Sequence, residues 1–167
     1  KRKQINMVGN VHLYDIDNID TDRIIPGKYT KTLDMSTFAN HCLEDLDPDF
    51  KNKVQQGDIL VGGWNFGCGS SREQAPIALK VSGISIVIAR SFSRIFYRNA
   101  INIGLPILEI PEHNISNDSR LLIELESGKV VDGNTKYSST PLPQIMIDIL
   151  NAGGLVSYLK NHKTYSL

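Results

Sequence analysis

The sequence predicts an α/β fold that mixes parallel and antiparallel strands, with helices flanking the sheet. Residues 58–90 follow the order strand, glycine-rich loop, helix, strand, which is typical of a βαβ unit with parallel strands. Residues 120–139, RLLIELESGKVVDGNTKYSS, alternate around two turn dipeptides, which predicts an antiparallel hairpin or meander. The chain has 167 residues, 41% of them hydrophobic, so we expect a single domain over residues 1–167.

The first third of the chain predicts a strand followed by irregular structure. Residues 5–14, INMVGNVHLY, mix β-branched and polar residues around Gly9, which indicates a strand or a hairpin. Residues 15–34, DIDNIDTDRIIPGKYTKTLD, predict an acidic loop with a short apolar centre. Residues 34–50 are weakly periodic and predict a short helix that ends at LDPDF.

The middle of the chain carries the clearest strand signals. Residues 58–62, DILVG, predict a buried strand, and residues 84–91, ISIVIARS, predict a strand buried on both faces. Residues 75–83, APIALKVSG, predict the helix between them, with Gly83 as its C-terminal cap. In such a unit the loop after the first strand lies at the carboxyl edge of the sheet, where ligands bind.

The remaining segments complete the α/β pattern. Residues 93–104, SRIFYRNAINIG, predict a helix whose apolar side chains include Ile95, Phe96 and Ala100, and the segment LPILEI predicts a strand after it. Residues 141–162 predict an amphipathic helix, broken at a Gly-Gly pair, and a second short helix.

The composition narrows the classes of partner and compartment. Eighteen basic residues balance eighteen acidic ones, which gives no reason to expect nucleic acid or an anionic membrane as partner. The apolar runs are far shorter than the roughly 20 residues of a membrane span, and the N-terminus lacks the apolar region of a secretory signal. Cys42 and Cys68 suit a reducing compartment, so we expect a cytoplasmic protein, and they are too few to hold zinc or an iron–sulfur cluster.

The loop and helix at residues 63–80, GWNFGCGSSREQAPIALK, allow several interpretations. A nucleotide phosphate loop is disfavoured, because no lysine precedes a serine or threonine and the G-x-G-x-x-G spacing is absent. Cys68 as a nucleophile would need a base, and nothing in the sequence indicates that any of the four scattered histidines lies near the loop. We favour a cysteine buried beside the glycines.

A structural cap is the third interpretation of this loop. Ser70 with Glu73, and Ser71 with Gln74, match the capping-box pattern of a helix N-terminus. Pro76 indicates that the regular helix begins after both serines. A cap accounts for one serine and one acid but gives no role to the arginine between them.

A small-anion site is the fourth interpretation, and it stays open beside the cap. Glycines let a ligand approach the backbone closely, and free N–H groups at a helix start attract a carboxylate or phosphate. Arg72 adds a guanidinium that binds a carboxylate through two hydrogen bonds. A neighbouring serine is then a candidate for proton transfer.

Two long segments resemble one enzyme family. NFGCGSSREQAPIALKVSGISIVIARSFSRIFYRNAINIGLPILE, together with NIDTDRIIPGKY, resembles the small subunits of 3-isopropylmalate dehydratase, homoaconitase and dimethylmalate dehydratase. All of these are similar to the C-terminal swivelling domain of aconitase. The resemblance covers roughly residues 5–110 and implies a swivelling β/β/α fold.

The resemblance also implies a partner, a cofactor and a reaction. The family pairs such a chain with a large subunit, in a heterodimer or heterotetramer, and the large subunit carries a 4Fe–4S cluster. The reaction is a reversible dehydration of a small hydroxy-dicarboxylate substrate. In 3-isopropylmalate dehydratase it isomerises 2-isopropylmalate to 3-isopropylmalate through isopropylmaleate, in leucine biosynthesis. We expect this hydro-lyase activity only together with the large subunit.

Family motifs assign roles to individual positions of this chain. Ser70 resembles the catalytic base, which removes a proton as an alkoxide and therefore needs N–H groups and positive charge nearby. Ser71 and Arg72 match residues that bind a substrate carboxylate. Asp22 matches an active-site acid that orients a neighbouring group.

The segment after Pro26 resembles the loop of the family that selects the substrate. Thr30, Lys31 and Thr32 fall there, so we expect them to contact the substrate. Thr30 and Lys31 replace the leucine and arginine of the isopropylmalate type, so homoaconitate and 2,3-dimethylmalate hydro-lyase small subunits remain alternatives. A further alternative, from another class, is a non-catalytic domain that binds a dicarboxylate or docks a partner.

Overall fold

The computed structural model describes residues 6–161, in which strands and short helices alternate. The strands are β1 (Asn6–Tyr14), β2 (Asp58–Gly62), β3 (Ile84–Ala89), β4 (Ile107–Glu109), β5 (Arg120–Glu124), β6 (Lys129–Asp132) and β7 (Thr135–Ser138). The helices are α1 (Thr21–Ile24), α2 (Met35–His41), α3 (Phe50–Lys53), α4 (Gln74–Ser82), α5 (Arg94–Asn102), α6 (Gln144–Asn151) and α7 (Leu155–Asn161). A 3-10 turn, Gly27–Tyr29, follows α1.

The strands form one mixed sheet in the order β4-β3-β2-β1-β5-β6-β7. The four strands β4, β3, β2 and β1 are parallel, and β1, β5, β6 and β7 are antiparallel. β1 serves both halves, because residues 11–14 pair with β2 and residues 6–10 pair with β5. The structure therefore confirms the α/β fold with both kinds of pairing.

The parallel half carries the main core. Every residue of β2 is buried, as is every residue of β3 except Ser85. α4 connects β2 to β3 and begins at Gln74, and Gly83 ends it in the left-handed conformation with φ of 117°. These observations confirm the βαβ unit, the strand buried on both faces and the glycine C-cap. Parallel strands covered on both faces are expected to be apolar throughout.

Two expectations for the first third of the chain are wrong in detail. Residues 15–34 are not one loop, because α1 and the 3-10 turn lie within them. The helix expected over residues 34–50 ends at His41, since Leu43 adopts a left-handed backbone with φ of 58°. In α5, which confirms the helix predicted over residues 93–104, Ile95 is 47% exposed and Phe96 and Ala100 are buried.

The C-terminal third follows its sequence pattern. β5, β6 and β7 form the antiparallel meander, and their short connections contain the two turn dipeptides. The last two helices, α6 and α7, are interrupted at Gly153 and Gly154. Within residues 6–161, no helix combines the length and the apolar character needed to cross a membrane.

Candidate active site

Two connections meet at the carboxyl ends of β1 and β2. The first runs from Asp15 into α1, and the second is the glycine-rich loop between β2 and α4. Three backbone hydrogen bonds join them, from Asn18 N to Trp64 O at 2.8 Å, from Gly67 N to Ile19 O at 2.7 Å, and from Thr21 N to Cys68 O at 2.8 Å. The glycine-rich loop thus lies at the edge where parallel sheets bind ligands.

Gly67 sets the path of the glycine-rich loop. Its φ is 81°, and a Cβ atom at this position would overlap the ring of Phe96. The ring of Phe66, a residue of this loop, packs edge to face against the ring of Phe96 in α5, with centroids 5.3 Å apart. Only glycine combines this backbone conformation with so close an approach to α5.

Ser70 is exposed while its backbone is held in place. The buried hydroxyl of Thr21 donates to the Ser70 carbonyl at 3.0 Å, and the two hydroxyl oxygens lie 3.4 Å apart. Thr21 itself is only 3% exposed. The first turn of α1 therefore holds the Ser70 backbone and leaves the Ser70 side chain exposed to a ligand.

Arg72 and Asp22 form an ion pair beside Ser70. The Arg72 Nη1 atom lies 2.9 Å from the Asp22 Oδ1 atom, which also accepts a hydrogen bond from Gly27 N at 2.9 Å. The hydrogen bond from Arg72 lowers the pKa of the Asp22 carboxyl below its ordinary value, and the Gly27 N–H adds to this effect. Asp22 is therefore a carboxylate that fixes the orientation of the guanidinium.

The guanidinium of Arg72 keeps binding capacity for an anion. Among residues 6–161, Asp22 is its one hydrogen-bond partner. A Cβ atom at Gly27 would lie 3.2 Å from the Arg72 Nη2 atom, so the glycine leaves this edge of the guanidinium uncrowded. A carboxylate can bind there through paired hydrogen bonds, next to an exposed serine hydroxyl.

The other predicted substrate-binding residues differ in exposure and in hydrogen bonding. Ser71 and Lys31 are exposed. The Thr30 hydroxyl donates to the Gly27 carbonyl at 2.7 Å, and the Thr32 hydroxyl accepts from Asp34 N at 3.0 Å. Both threonines thus stabilise turns of the segment. The Gln74 side chain lies 3.4 Å from the Thr30 carbonyl, which brings this segment to the start of α4.

The capping-box expectation is wrong. Glu73 occupies the N-cap position of α4 without a capping side chain, and the helix begins at Gln74. Neither Ser70 nor Ser71 caps the helix. Pro76 lies in the first turn, where its missing N–H would have no partner within the helix. Ser70 therefore lies before α4, where its carbonyl accepts a hydrogen bond from Thr21 of α1.

The two cysteines have unreactive surroundings. Burial raises the pKa of the Cys42 thiol to about 12. Cys68 is partly exposed rather than buried as we expected, and partial burial together with the nearby Asp20 carboxylate raises the pKa of its thiol. Neither environment favours a thiolate. Among the described residues 6–161, no three His, Cys, Asp or Glu side chains form a group that could hold a metal ion.

Sequence reasoning missed the residues that hold the two connections together. Thr21 supports Ser70, and the side chains of Asn18 and Asn65 are hydrogen-bonded to each other at 2.9 Å. Both asparagines have a left-handed backbone, with φ of 59° and 57°. Asparagine tolerates this conformation better than most residues, which was the available signal.

Comparisons with known proteins show the family of the chain. Residues 5–113 match the family model described as the aconitase C-terminal domain. The 3-isopropylmalate dehydratase small subunit of Helicobacter hepaticus is 52% identical over 159 residues, which cover 93% of this chain and 96% of that protein. The small subunit of the same name from Caldicellulosiruptor saccharolyticus is 54% identical over 156 residues, 91% of this chain and 90% of that protein.

A solved structure shares the fold. The crystal structure of 3-isopropylmalate dehydratase from Methanocaldococcus jannaschii superposes with a TM-score of 0.90 and is 44% identical in sequence. The superposition covers 97% of this chain and 98% of that one. Sequence, fold and the extent of the match agree: the chain belongs to the family of 3-isopropylmalate dehydratase small subunits, which contains the aconitase C-terminal domain.

Proposed function

We propose that this chain is the small subunit of a 3-isopropylmalate dehydratase, which isomerises 2-isopropylmalate to 3-isopropylmalate through isopropylmaleate, a step of leucine biosynthesis. The observation that carries the proposal is the ion pair between Arg72 and Asp22 beside the exposed Ser70, in a chain 52% identical to a small subunit of that name. The site has one firmly held cation and one accessible hydroxyl, which suits a carboxylate substrate that must lose a proton.

Ser70 acts as the base in this proposal. Its alkoxide removes the proton from the carbon next to a substrate carboxylate, and the same hydroxyl returns a proton in the hydration step. A serine hydroxyl is too weakly acidic to ionise unaided, so the site must stabilise the alkoxide. The positive charge of Arg72 is the available group, because the single proton of the Thr21 hydroxyl is donated to the Ser70 carbonyl.

Arg72 and Ser71 bind a substrate carboxylate, and Asp22 is a positioning residue. The Asp22 carboxylate holds one guanidinium nitrogen at 2.9 Å, so the remaining N–H groups face the substrate in a fixed orientation. Lys31, Thr30 and Thr32 lie on the segment that follows and contribute to the choice of substrate. Lys31 offers a point charge, and the two threonines shape the turn.

The 4Fe–4S cluster belongs to the large subunit in this proposal. Two cysteines with raised thiol pKa values do not fit the cluster, which takes three or four thiolate ligands. The chain therefore works only in a complex with a large subunit, as a heterodimer or heterotetramer, and we place this complex in the cytoplasm. When bound, the cluster supplies the Lewis acid of the reaction.

Reconstitution with a large subunit tests the proposed function. The pair is assayed with 2-isopropylmalate, homocitrate-derived acids and 2,3-dimethylmalate, and formation of the unsaturated intermediate is followed by its ultraviolet absorbance. We expect turnover of 2-isopropylmalate and none by either subunit alone. Turnover confined to another acid would assign the chain to a sister hydro-lyase, which Thr30 and Lys31 in place of the usual leucine and arginine would then explain.

A non-catalytic binding domain is the rival function. Such a domain uses Arg72 to hold a dicarboxylate and has no need of the Ser70 hydroxyl. Binding of a dicarboxylate by the isolated chain without any activity in the reconstituted pair would favour this rival.

A further inference from the structure

We infer that Trp64 and Ile16 form an apolar docking surface for the large subunit, at the start of the same two connections that carry the active site, just after β1 and β2 end. The inference rests on the proposed function, since it names the surface by which that partner is held. Trp64 and Ile16 are each 45% exposed. Large exposed apolar side chains that adjoin one another in the fold are typical of interaction sites.

The two side chains project from backbones that are joined directly. Asn18 N donates to the Trp64 carbonyl at 2.8 Å, and Trp64 N donates to the Asp17 carboxylate at 3.0 Å. A Cβ atom at Gly63 would lie 2.5 Å from the Ile16 carbonyl, so the connections are in close contact here. Trp64 and Ile16 therefore belong to one surface, although the 47 intervening residues include α1, α2, α3 and β2.

This surface is held rigidly. The side chains of Asn65 and Asn18 are hydrogen-bonded to each other, and Asn65 N donates to the Ser91 hydroxyl at 2.7 Å. Both asparagines keep a left-handed backbone, and these hydrogen bonds hold that conformation in place. A rigid aromatic residue loses little entropy on binding and is suited to anchor an interface.

The position of the surface identifies its occupant. The Asp22 side chain is 61% exposed, so the candidate site is open to water on this chain alone. A serine alkoxide requires a dry site, and the missing cover must come from another protein. The relatives at 52–54% identity are all named small subunits, which implies a large-subunit partner.

The geometry places Trp64 within reach of that cover. A chain advances at most about 3.6 Å per residue, so Trp64 lies within about 30 Å of Arg72. A standard interface buries about 800 Å² on each partner and is roughly 30 Å across. A large subunit that covers Asp22 and Arg72 is therefore wide enough to reach the start of the same two connections, where Trp64 and Ile16 are exposed.

Fluorine NMR tests this inference directly, because Trp64 is the single tryptophan of the chain. The small subunit is labelled with 5-fluorotryptophan and titrated with unlabelled large subunit. We expect the resonance to shift and to lose its solvent isotope effect in the complex. A complex that forms while the resonance keeps its free shift and isotope effect would overturn the inference and leave the proposed function intact.

Substitutions give the affinity that the surface contributes. Trp64→Ser and Ile16→Ser are expected to weaken binding of the large subunit at least about tenfold, and Trp64→Phe to recover most of it. Leu122→Ser is the matched control, since Leu122 is 42% exposed on β5 in the antiparallel half and should leave affinity unchanged. Among residues 6–161, the hydrogen bonds of Trp64 are made by its backbone, so circular dichroism and thermal melting should match the wild type.

Two further outcomes would contradict the inference. If Trp64→Ser dissociates only a homo-oligomer of this chain and leaves large-subunit affinity unchanged, the surface binds a second copy instead. If the wild-type chain binds no large subunit, the proposed function fails first and the inference fails with it. Sedimentation of the chain alone and of the mixture distinguishes these cases.

Discussion

Asp22 and Arg72 are 50 residues apart in the sequence and form an ion pair in which Nη1 and Oδ1 are 2.9 Å apart. The pair joins α1 to the approach to α4, and Gly27 N–H donates to the same carboxylate oxygen. In the proposed function, Arg72 supplies the positive charge that binds a substrate and Asp22 fixes the direction of the guanidinium. Because the two side chains contact each other, the effects of substituting them should not be additive.

Ser70→Ala is expected to lower kcat of the reconstituted enzyme by about 10²–10⁴-fold, because it removes the group that takes the substrate proton. Assembly should be unaffected, since Ser70 is exposed and the shorter of its two contacts with Thr21, at 3.0 Å, is made by its carbonyl, which alanine keeps. Steady-state rates on 2-isopropylmalate measure the effect. Ser157→Ala, at an exposed serine of α7, is the control. Near-normal turnover by Ser70→Ala would remove the catalytic role.

Asp22→Asn is expected to raise KM about tenfold or more, because the amide keeps the Gly27 hydrogen bond but no longer attracts the Arg72 guanidinium. Arg72→Lys should raise KM further through loss of paired hydrogen bonds, and the double variant should resemble Arg72→Lys alone. Asp118→Asn, at an exposed loop carboxylate, serves as the control. Fully additive effects of Asp22→Asn and Arg72→Lys on KM would contradict the positioning role.

Gly67→Ala is expected to destabilise the fold by about 2 kcal/mol or more, because the added methyl group overlaps the Phe96 ring and φ is 81°. Gly133→Ala is a matched control: its φ is also positive, 59°, but nothing lies within 4 Å of its added Cβ. Urea unfolding of the isolated chain gives both values. Equal losses for the two variants would mean that contact with Phe96 imposes no constraint.

Acid should destabilise the chain through His113. Its Nδ1 atom accepts from Ile115 N at 3.2 Å, its Nε2 atom is buried without a partner among the described residues, and burial followed by the Arg90 charge lowers the pKa of its imidazole. Asp15 opposes this shift, and the Tyr137 ring packs edge-on against the imidazole.

The sign of the effect follows from the lowered pKa. The unfolded chain binds the proton more readily, so the His113 contribution to stability is complete above the ordinary pKa of 6.5 and decreases as the pH falls through the lower folded pKa. His113→Asn retains an acceptor for Ile115 N and does not titrate. The difference in unfolding free energy between wild type and variant should therefore decrease from about pH 7.5 to about pH 5. A difference that is constant over this range would contradict the assignment.

The isolated chain is expected to contain no stoichiometric iron after purification, because Cys42 and Cys68 cannot supply the thiolate ligands of a cluster. Iron analysis and the visible absorption spectrum measure this directly. The reconstituted pair should carry the cluster and lose activity when a chelator removes its iron. A cluster bound to the isolated chain would overturn the assignment of the cofactor to the large subunit.

Much of the fold could be predicted from local patterns. β2, β3 and Gly83 were predictable because a run of apolar residues between glycines is compatible with few structures other than a buried strand and a capped helix. The meander was predictable from its turn dipeptides. Residues 15–34 were not, because α1 has only four residues and is stabilised by its Asp20 cap and by contacts with a distant loop.

The sequence by itself predicted which residue types should meet a substrate: a serine pair, an arginine and an aspartate in two recognisable motifs. The tertiary structure decided how these side chains are held. In the structure α4 begins at Gln74, so neither serine caps it. Asp22 pairs with Arg72, and Thr21 donates a hydrogen bond to the Ser70 carbonyl. The physical reason is that propensity and periodicity act over a few residues, whereas these contacts join residues about 50 apart and exist only once β1 and β2 lie side by side.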